Sequence, residues 1–496
     1  MRPKTKLKTN SRTIKPKIEP GARLRPLRLE TPRVSTEWGE EPELLFADGM
    51  THADPKVGIP LYGPRSMNTA RHKREVHVGF IGTAEAVENA RQFYAECADG
   101  IDGDDDHAPF PGCQQDRGFR CELQTDSNLV ESITRRESND ILDIRNQRQR
   151  FETMVALLES KLDLLTRKDY PLDYIVLVLS QDLYKRCRVT DYFEKGLGKV
   201  HRDLRRAFKA MAMKYQKPTQ ILLETTTGLA TKTRKLDHKS VIAWNLFTGL
   251  YSKVDGLPWS PIGLPPSSCF IGISFFRPLG EASTLRTSVV QAFDENGEGL
   301  VLRGHDFQWN EKKDGKTPHL SEELAGKLIE MVLELYREER RGQLPQRVVV
   351  HKTSRYEPSE RAGFEAALSN VSQYDLVALS PTSEVRLIRA GQYPPLRGTA
   401  FTVGDTSYLY TSGYLPILGR YPHGHVPSPL QIADHVGDTS RTQLLRESLV
   451  LTKMNWNSAN FSGLMPITLR FSRLVGDILR EVPSTQKPER KYKYYM

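Results

Sequence analysis

Four residues in the middle of the chain, His201, Arg205, Gln220 and Lys253, have the types and spacing to hold a phosphate. His201 and Arg205 stand four apart in HRDLRRAFKAMAMKYQ, a segment with helical periodicity and a basic face, so a helix there puts both on one side. Gln220 follows Pro218 and Thr219 at the start of TQILLET, which reads as a strand. Lys253 ends the helical segment before DGLPW. In a parallel α/β layout such ends gather at one sheet edge and can give a terminal phosphate charge-assisted hydrogen bonds. A second stretch, VVVHKTSRY, is a β-branched strand that runs out into His351, Lys352, Thr353, Ser354 and Arg355 without an acid. Strand C-terminal ends are where α/β proteins place their chemistry. This one offers hydroxyls and positive charge where a metal-dependent enzyme needs carboxylates.

Self-contained catalytic motifs are not found. HRDL at 201–204 matches the start of a kinase catalytic loop, but Phe208 stands where that loop needs Asn. DGKT at 314–317 resembles the end of a phosphate loop, but its first glycine would fall at Asn310 and no strand precedes it. The insert DGIDGDDDHAPFPG has aspartates that could bind a cation, but it lacks the spacing and closing Glu of a calcium loop and reads as a solvated loop. Five scattered cysteines without a CxxC argue against a zinc site or a disulfide framework and suit a reducing, cytoplasmic setting.

The elements that must position these groups alternate. VHVGFIG, YIVLVLS and TQILLET read as buried strands with helices between them, a parallel, Rossmann-like layout. DGLPWSPIGLPPSS then reads as a linker. After it come the strand CFIGISFF, the hairpin TSVVQAFDENGEGLVLRG, a long amphipathic helix, the strands RVVVHKTS and YDLVALSP, and two closing helices near 439–453 and 463–481. Antiparallel strands, a helix, then more strands make an RNase H-like α/β order. A chain of 496 residues is too long for one core, and four regions are expected: a basic arm at 1–36, a lead-in of short extended pieces and turns at 37–75, a first domain at 76–262 and a second at 263–496. Residues 1–33 hold eleven Lys and Arg against two Glu, nine of the ten net positive charges, in a Pro-rich segment without aromatics. Such an arm is expected to be disordered when free, and it either meets phosphates or is a solvated tail. No apolar run is long enough for a membrane span, and no secretory signal is seen.

The segment from HRDLRRAFKAMAMKYQKPTQ to LYSKVDGLPW resembles the MID domain of prokaryotic Argonautes. CFIGISFF, VVVHKTSRY, YTSGYLPILGRYP and LTKMNWNSANFSGLMPITLRFSRLVGDILRE resemble a PIWI domain. The resemblance covers roughly residues 40–485, and the lead-in LLFADGMTHADPKVGIPLYGP fits a short prokaryotic Argonaute, with no room for N-terminal and PAZ domains. It implies that His201, Arg205, Gln220 and Lys253 clasp the 5′-phosphate of a guide strand, with Arg205 where Lys is usual. It also implies that the C-terminal carboxylate, at Met496, folds into that site and helps hold Mg²⁺, although a frayed tail remains open.

In a slicing PIWI domain, the resemblance implies, carboxylates bind two metals. The matching positions here are Ser274 in IGIS and Thr353 in KTS, and the fourth falls near KMNWN, at Asn455 or Asn457. The expectation is a non-cleaving protein, with Lys352 repelling metal as well. An active nuclease using Asp306 or Asp405, and a plain basic nucleic-acid binder, remain the alternatives. Arg303, Lys453, Arg470 and Arg473 are candidates for backbone contact. The resemblance further implies a guide RNA, a complementary single-stranded DNA target, and a heterodimer with an APAZ-domain subunit fused to a TIR, sirtuin-like or nuclease effector in prokaryotic defence, with possible oligomerisation on activation.

Overall fold

Six consecutive residues, Tyr174 to Leu179, are all buried, a run that needs cover on both faces of a parallel sheet. The computed structural model describes residues 33–195, 198–228, 236–279, 284–292, 299–419, 421, 426–460, 463–483 and 486–496. The basic arm up to residue 32 and the expected hairpin tip at 295–298 lie outside the described residues.

The lead-in holds strands β1 (Val34–Trp38), β2 (Leu44–Leu45) and β3 (Thr51–His52) and helix α1 (Pro55–Tyr62). DPKVG, expected as a turn, opens α1 instead: Asp54 caps it by accepting from the Lys56 N–H at 2.8 Å, and Pro55 suits the first helical position. The first large unit runs β4 (Glu75–Gly82), α2 (Ala84–Asp99), β5 (Glu122–Gln124), β6 (Val130–Ser132), α3 (Arg135–Leu142), α4 (Gln147–Thr166), β7 (Tyr174–Leu179), α5 (Gln181–Cys187), β8 (Val189–Glu194), β9 (Gly198–Asp203), α6 (Leu204–Ala212), β10 (Thr219–Leu223), α7 (Glu224–Thr227) and α8 (Lys239–Lys253). Its sheet is parallel, in the order β10-β7-β4-β5 with β6 also beside β4. The expected Rossmann-like layout is found.

DGLPWSPIGLPPSS is no loose tether. It contributes β11 (Ser260–Pro261), which pairs with β2, and Trp259 is fully buried with its indole N–H on the Lys453 carbonyl at 3.0 Å. An aromatic side chain of that size, once buried, fixes the segment around it.

The second unit runs β12 (Ser268–Phe276), β13 (Thr284–Ala292), β14 (Gly299–Gln308), α9 (Glu322–Glu339), β15 (Arg347–Lys352), α10 (Pro358–Ala367), β16 (Gln373–Pro381), β17 (Thr399–Val403), β18 (Thr406–Leu409), β19 (Leu430–Gly437), α11 (Arg441–Leu451) and α12 (Ile467–Leu479). Its nine-stranded sheet has the order β1-β17-β18-β19-β16-β15-β12-β13-β14. β12, β15 and β16 are mutually parallel, and β12–β13–β14 is an antiparallel meander. This is the RNase H-like order.

Side chains along these strands alternate between two cores. Ile271, Ile273, Val348 and Val350 face Leu328, Ile329 and Val332 of α9. Phe270, Phe276 and Val349 face Ile467, Phe471 and Val475 of α12. The two units are joined by ion pairs as well as by packing, Arg202 of β9 reaching Glu481 at 2.8 Å.

Candidate nucleic-acid interface

Asp203 ends one element and begins another. Its carboxylate accepts from the Arg206 N–H at 3.1 Å, so α6 starts at Leu204. The residues before it pair as the β8–β9 hairpin, with His201 opposite Asp191. This corrects the expectation that His201 shares a helix with Arg205. His201 is a half-exposed strand residue whose Nδ1 lies 3.0 Å from Asp191 Oδ1.

The other three predicted residues do converge, and a fourth joins them. Arg205 and Lys209 lie four apart on α6 and share a face. Gln220 is the second residue of β10, and Lys253 is the last of α8. Lys253 is 1% exposed and donates to Gln220 Oε1 at 2.8 Å. Lys209 is 3% exposed and donates to the Thr219 carbonyl at 3.0 Å. Among the described residues, neither lysine has a carboxylate partner, and neither does Arg205, although its neighbours Arg202 and Arg206 are each ion-paired. Burial, then the nearby Arg205 charge, pulls the Lys253 pKa down to about 7. Burial, then Lys253 and Arg205, pulls Lys209 well below its ordinary value. Ammonium groups desolvated together without a counter-charge are costly, and an anion placed among them relieves that cost. Lys209 was legible at the same spacing from Arg205 that singled out His201.

The C-terminus packs beside this pocket. Tyr492, Tyr495 and Met496 are buried, and the Ser252 hydroxyl donates to Met496 Sδ at 3.8 Å, one residue before Lys253. Tyr492 lies near Arg205 and Arg470. Ser252, Tyr492 and Met496 border a cavity of about 1200 Å³ between the two units.

The second candidate region lies at the strand ends of the RNase H-like sheet. The last paired step of β12 and β15 is Gly272 with His351, so Ser274 and Thr353 stand two residues further on, side by side. Both continue the face that packs on α12. That helix runs alongside β12 in the same direction. A side chain at Gly272 would strike the Thr468 backbone, and the Leu279 N–H reaches the Arg480 carbonyl. Ser472, one turn past Thr468, therefore falls level with Ser274. Ser472, fully buried with its hydroxyl donating to the Leu469 carbonyl at 3.1 Å, was not singled out from the sequence. His351 bonds Thr468 Oγ1 at 2.8 Å, and burial, then Arg347, holds its pKa near 3, so it is neutral.

Two expectations about this edge are corrected. Lys352 turns to the opposite face of the sheet, as alternation requires, where it is buried in an ion pair with Glu360 of α10. It does not share a face with Ser274 and Thr353. Asn455 is also elsewhere: it is buried in a turn whose neighbours Met454 and Trp456 border the cavity beside the C-terminus.

No family model and no curated protein matches the chain. Solved structures do. The chain superposes on Clostridium butyricum Argonaute, solved with a guide DNA and a 19-mer target DNA, at a TM-score of 0.64 and 14% identity, over 91% of this chain and 54% of that one. It superposes on Drosophila Piwi at 0.57 and 13% identity, over 92% and 56%, and on A. aeolicus Argonaute at 0.55 and 16%, over 92% and 54%. The chain has an Argonaute-like fold. It spans about half the length of the structures it matches.

Within this Argonaute-like frame, the remaining predicted residues are placed as follows. Asp306 on β14 is ion-paired to Arg286, and Asp405 lies in the exposed turn between β17 and β18. Arg470 and Arg473 are exposed on α12, three residues apart, and Arg303 on β14 is half-buried. Lys453 is not a surface group. It is 1% exposed, bonded to Glu41 at 2.9 Å and to the Ala53 carbonyl at 2.7 Å, and it pins the lead-in to the second unit. Arg397 joins the same cluster through Glu41 at 2.8 Å.

Proposed function

We propose that this chain is a short, non-cleaving Argonaute that holds a guide RNA by its 5′-phosphate and pairs it with complementary single-stranded DNA. The observation that carries the reading is the cationic pocket in which the exposed Arg205 and half-buried Gln220 adjoin the buried Lys209 and Lys253. Two of its lysines are desolvated without a carboxylate among the described residues, an arrangement suited to a dianion. A guide RNA with a 5′-phosphate should bind much more tightly than the same RNA with a 5′-hydroxyl. Equal affinities would end the reading.

The absence of cutting is supported by Ser274 and Thr353. Neutral hydroxyls cannot supply the charge with which carboxylates gather paired Mg²⁺ or Mn²⁺. The protein with guide and matched target should leave the target intact in either metal, and a guide-directed cut at one position would refute this. A single Mg²⁺ is proposed at the guide end. Met496 packs on Ser252, and a chain terminus at that position would offer a carboxylate, the kind of hard oxygen donor that Mg²⁺ takes. When bound, the ion would offset the repulsion between that carboxylate and the phosphate. Residues appended after Met496 should lower guide affinity.

The further steps follow from the resemblance. The partner is proposed to be an APAZ-domain subunit bearing a TIR, sirtuin-like or nuclease effector, in a cytoplasmic heterodimer that answers invading plasmid or phage DNA. Target pairing would activate the effector, with recognition left to base pairing and the protein following backbone shape. Co-purification of such a subunit with RNA from cells tests this, and purification alone and RNA-free from the native host would count against it.

A further inference from the structure

The acidic insert is the exposed loop expected from the sequence, with Asp102, Asp104, Asp105 and Asp106 in solvent, but its base is anchored. Its ends are closed by a bridge between Ile101 and Phe110, with backbone bonds of 2.9 and 2.8 Å. Gly103 has no room for a side chain, because a Cβ there would strike the His107 carbonyl. The insert is anchored to α8: the Trp244 indole N–H donates to the Pro109 carbonyl at 2.9 Å, and Phe110 packs edge-on against Trp244.

This joint brings three ligand-type side chains together from two distant parts of the chain. Asp104 Oδ1 lies 2.7 Å from His107 Nδ1. Asp104 Oδ2 lies 3.8 Å from Nε2 of His238, the residue that caps α8. The two imidazoles are stacked at 4.9 Å with 7° between their planes, and one ligand atom from each of the three residues falls within 4.8 Å of the others. A tetrahedral zinc ion needs its ligand atoms about 3.3 Å apart. Small side-chain rotations at this half-exposed site supply the difference without moving the anchored backbone.

We propose that Asp104, His107 and His238 bind one divalent transition-metal ion of the zinc class, which staples the insert to the start of α8. Two imidazole nitrogens and one carboxylate match zinc's donor preference, whereas Mg²⁺ and Ca²⁺ take oxygen ligands. Three protein ligands leave a fourth position for water. Nε2 can bind a metal only with the ring proton on His238 Nδ1, which then donates to Ser240 Oγ at 2.8 Å in place of accepting the Ser240 N–H cap bond at 3.3 Å. The exposed Asp102, Asp105 and Asp106 add negative potential at the entrance. The site is independent of the guide-binding reading.

The test is calorimetric titration of Zn²⁺ into the metal-stripped full chain, beside the variant H107Q/H238N, in which Asn keeps a good helix cap. Wild type should take up one Zn²⁺ per chain and show no heat with Mg²⁺. The variant should bind more than about 100-fold more weakly, a larger loss than an outer-shell partner alone causes. Zn²⁺ should raise the melting temperature of wild type and not that of D104N, which also reports whether the variants fold. Co²⁺ should give visible d–d bands without sulfur charge transfer. No zinc uptake by wild type, equal uptake by H107Q/H238N, or a thiolate band showing that cysteines bind the metal would each overturn the proposal.

Discussion

In the proposed function, the preference for a 5′-phosphate should depend on pH in a way that one residue sets. Lys253 is buried beside Arg205, and its pKa falls to about 7 in the free protein. A phosphate in the pocket supplies the missing counter-charge and returns the ammonium to its ordinary range near 10.4. Binding a phosphate above pH 7 therefore requires protonating Lys253, and the apparent affinity falls by the fraction already deprotonated. Between pH 7 and pH 8.5 the factor (1 + 10^(pH − 7)) rises about 16-fold, or about 1.6 kcal/mol. The phosphate is close to fully dianionic over this range, so its own titration contributes little. The ratio of dissociation constants for 5′-hydroxyl and 5′-phosphate guides cancels effects on the rest of the duplex. That ratio should shrink by about 16-fold across this interval in wild type, and it should be small and nearly flat in K253M. A flat wild-type ratio would show that Lys253 is already fully charged or does not touch the phosphate, and would refute the reasoning. Lys209, shifted the same way, can only steepen the slope.

Other predictions follow from the same geometry. K253M, having lost a desolvated charge, should stabilise the guide-free protein near pH 7 by about 1–4 kcal/mol in urea unfolding while weakening phosphate binding. The sign is checked by linkage: the folded pKa lies below the unfolded one, so the unfolded state binds more protons between pH 7 and 10, and the wild-type deficit should narrow as pH rises. R205A should cost about 1.5–3 kcal/mol in affinity for 5′-phosphate guides and almost nothing for 5′-hydroxyl guides. E41Q leaves Arg397 and Lys453 buried without their carboxylate and should destabilise the chain by about 3–5 kcal/mol, read by chemical denaturation.

The central strands of both sheets were legible because burial on two faces leaves unbroken apolar runs, as in Tyr174–Leu179 and Val348–Val350, whereas strands such as β5, β6 and β17–β19 leave no such run. Arg205, Gln220 and Lys253 were legible because they sit at element ends, where turns and composition mark the boundary. His201 was misplaced because basic periodicity continued through Asp203, whose capping side chain outweighs it. The direction of Lys352 was in the sequence: counting by twos from Val348 and Val350 puts it on the α9–α10 side. Ser472 and the His107–His238 pair were not readable. They depend on how a helix lies on a sheet and how a loop folds onto a distant helix cap, and neither leaves a periodic trace.

The strand ends at Ser274 and Thr353 and the pocket of Arg205, Lys209 and Lys253 rest on different electrostatic choices, and both lie near α12. A carboxylate cluster at such strand ends repels the phosphates of an incoming duplex unless metal ions intervene. Ser274 and Thr353 bring no charge to this edge, and Arg470 and Arg473 stand exposed on α12. In the proposed function a guide–target duplex can therefore settle over this edge without divalent ions bound there. Any magnesium dependence of guide binding should then reside at the 5′ end alone. Chelation should weaken 5′-phosphate guides and leave target capture by an already loaded complex unchanged. Loss of target capture on chelation, with the guide still bound, would mean that metal bridges the duplex to this edge after all and that the hydroxyl edge has been misread.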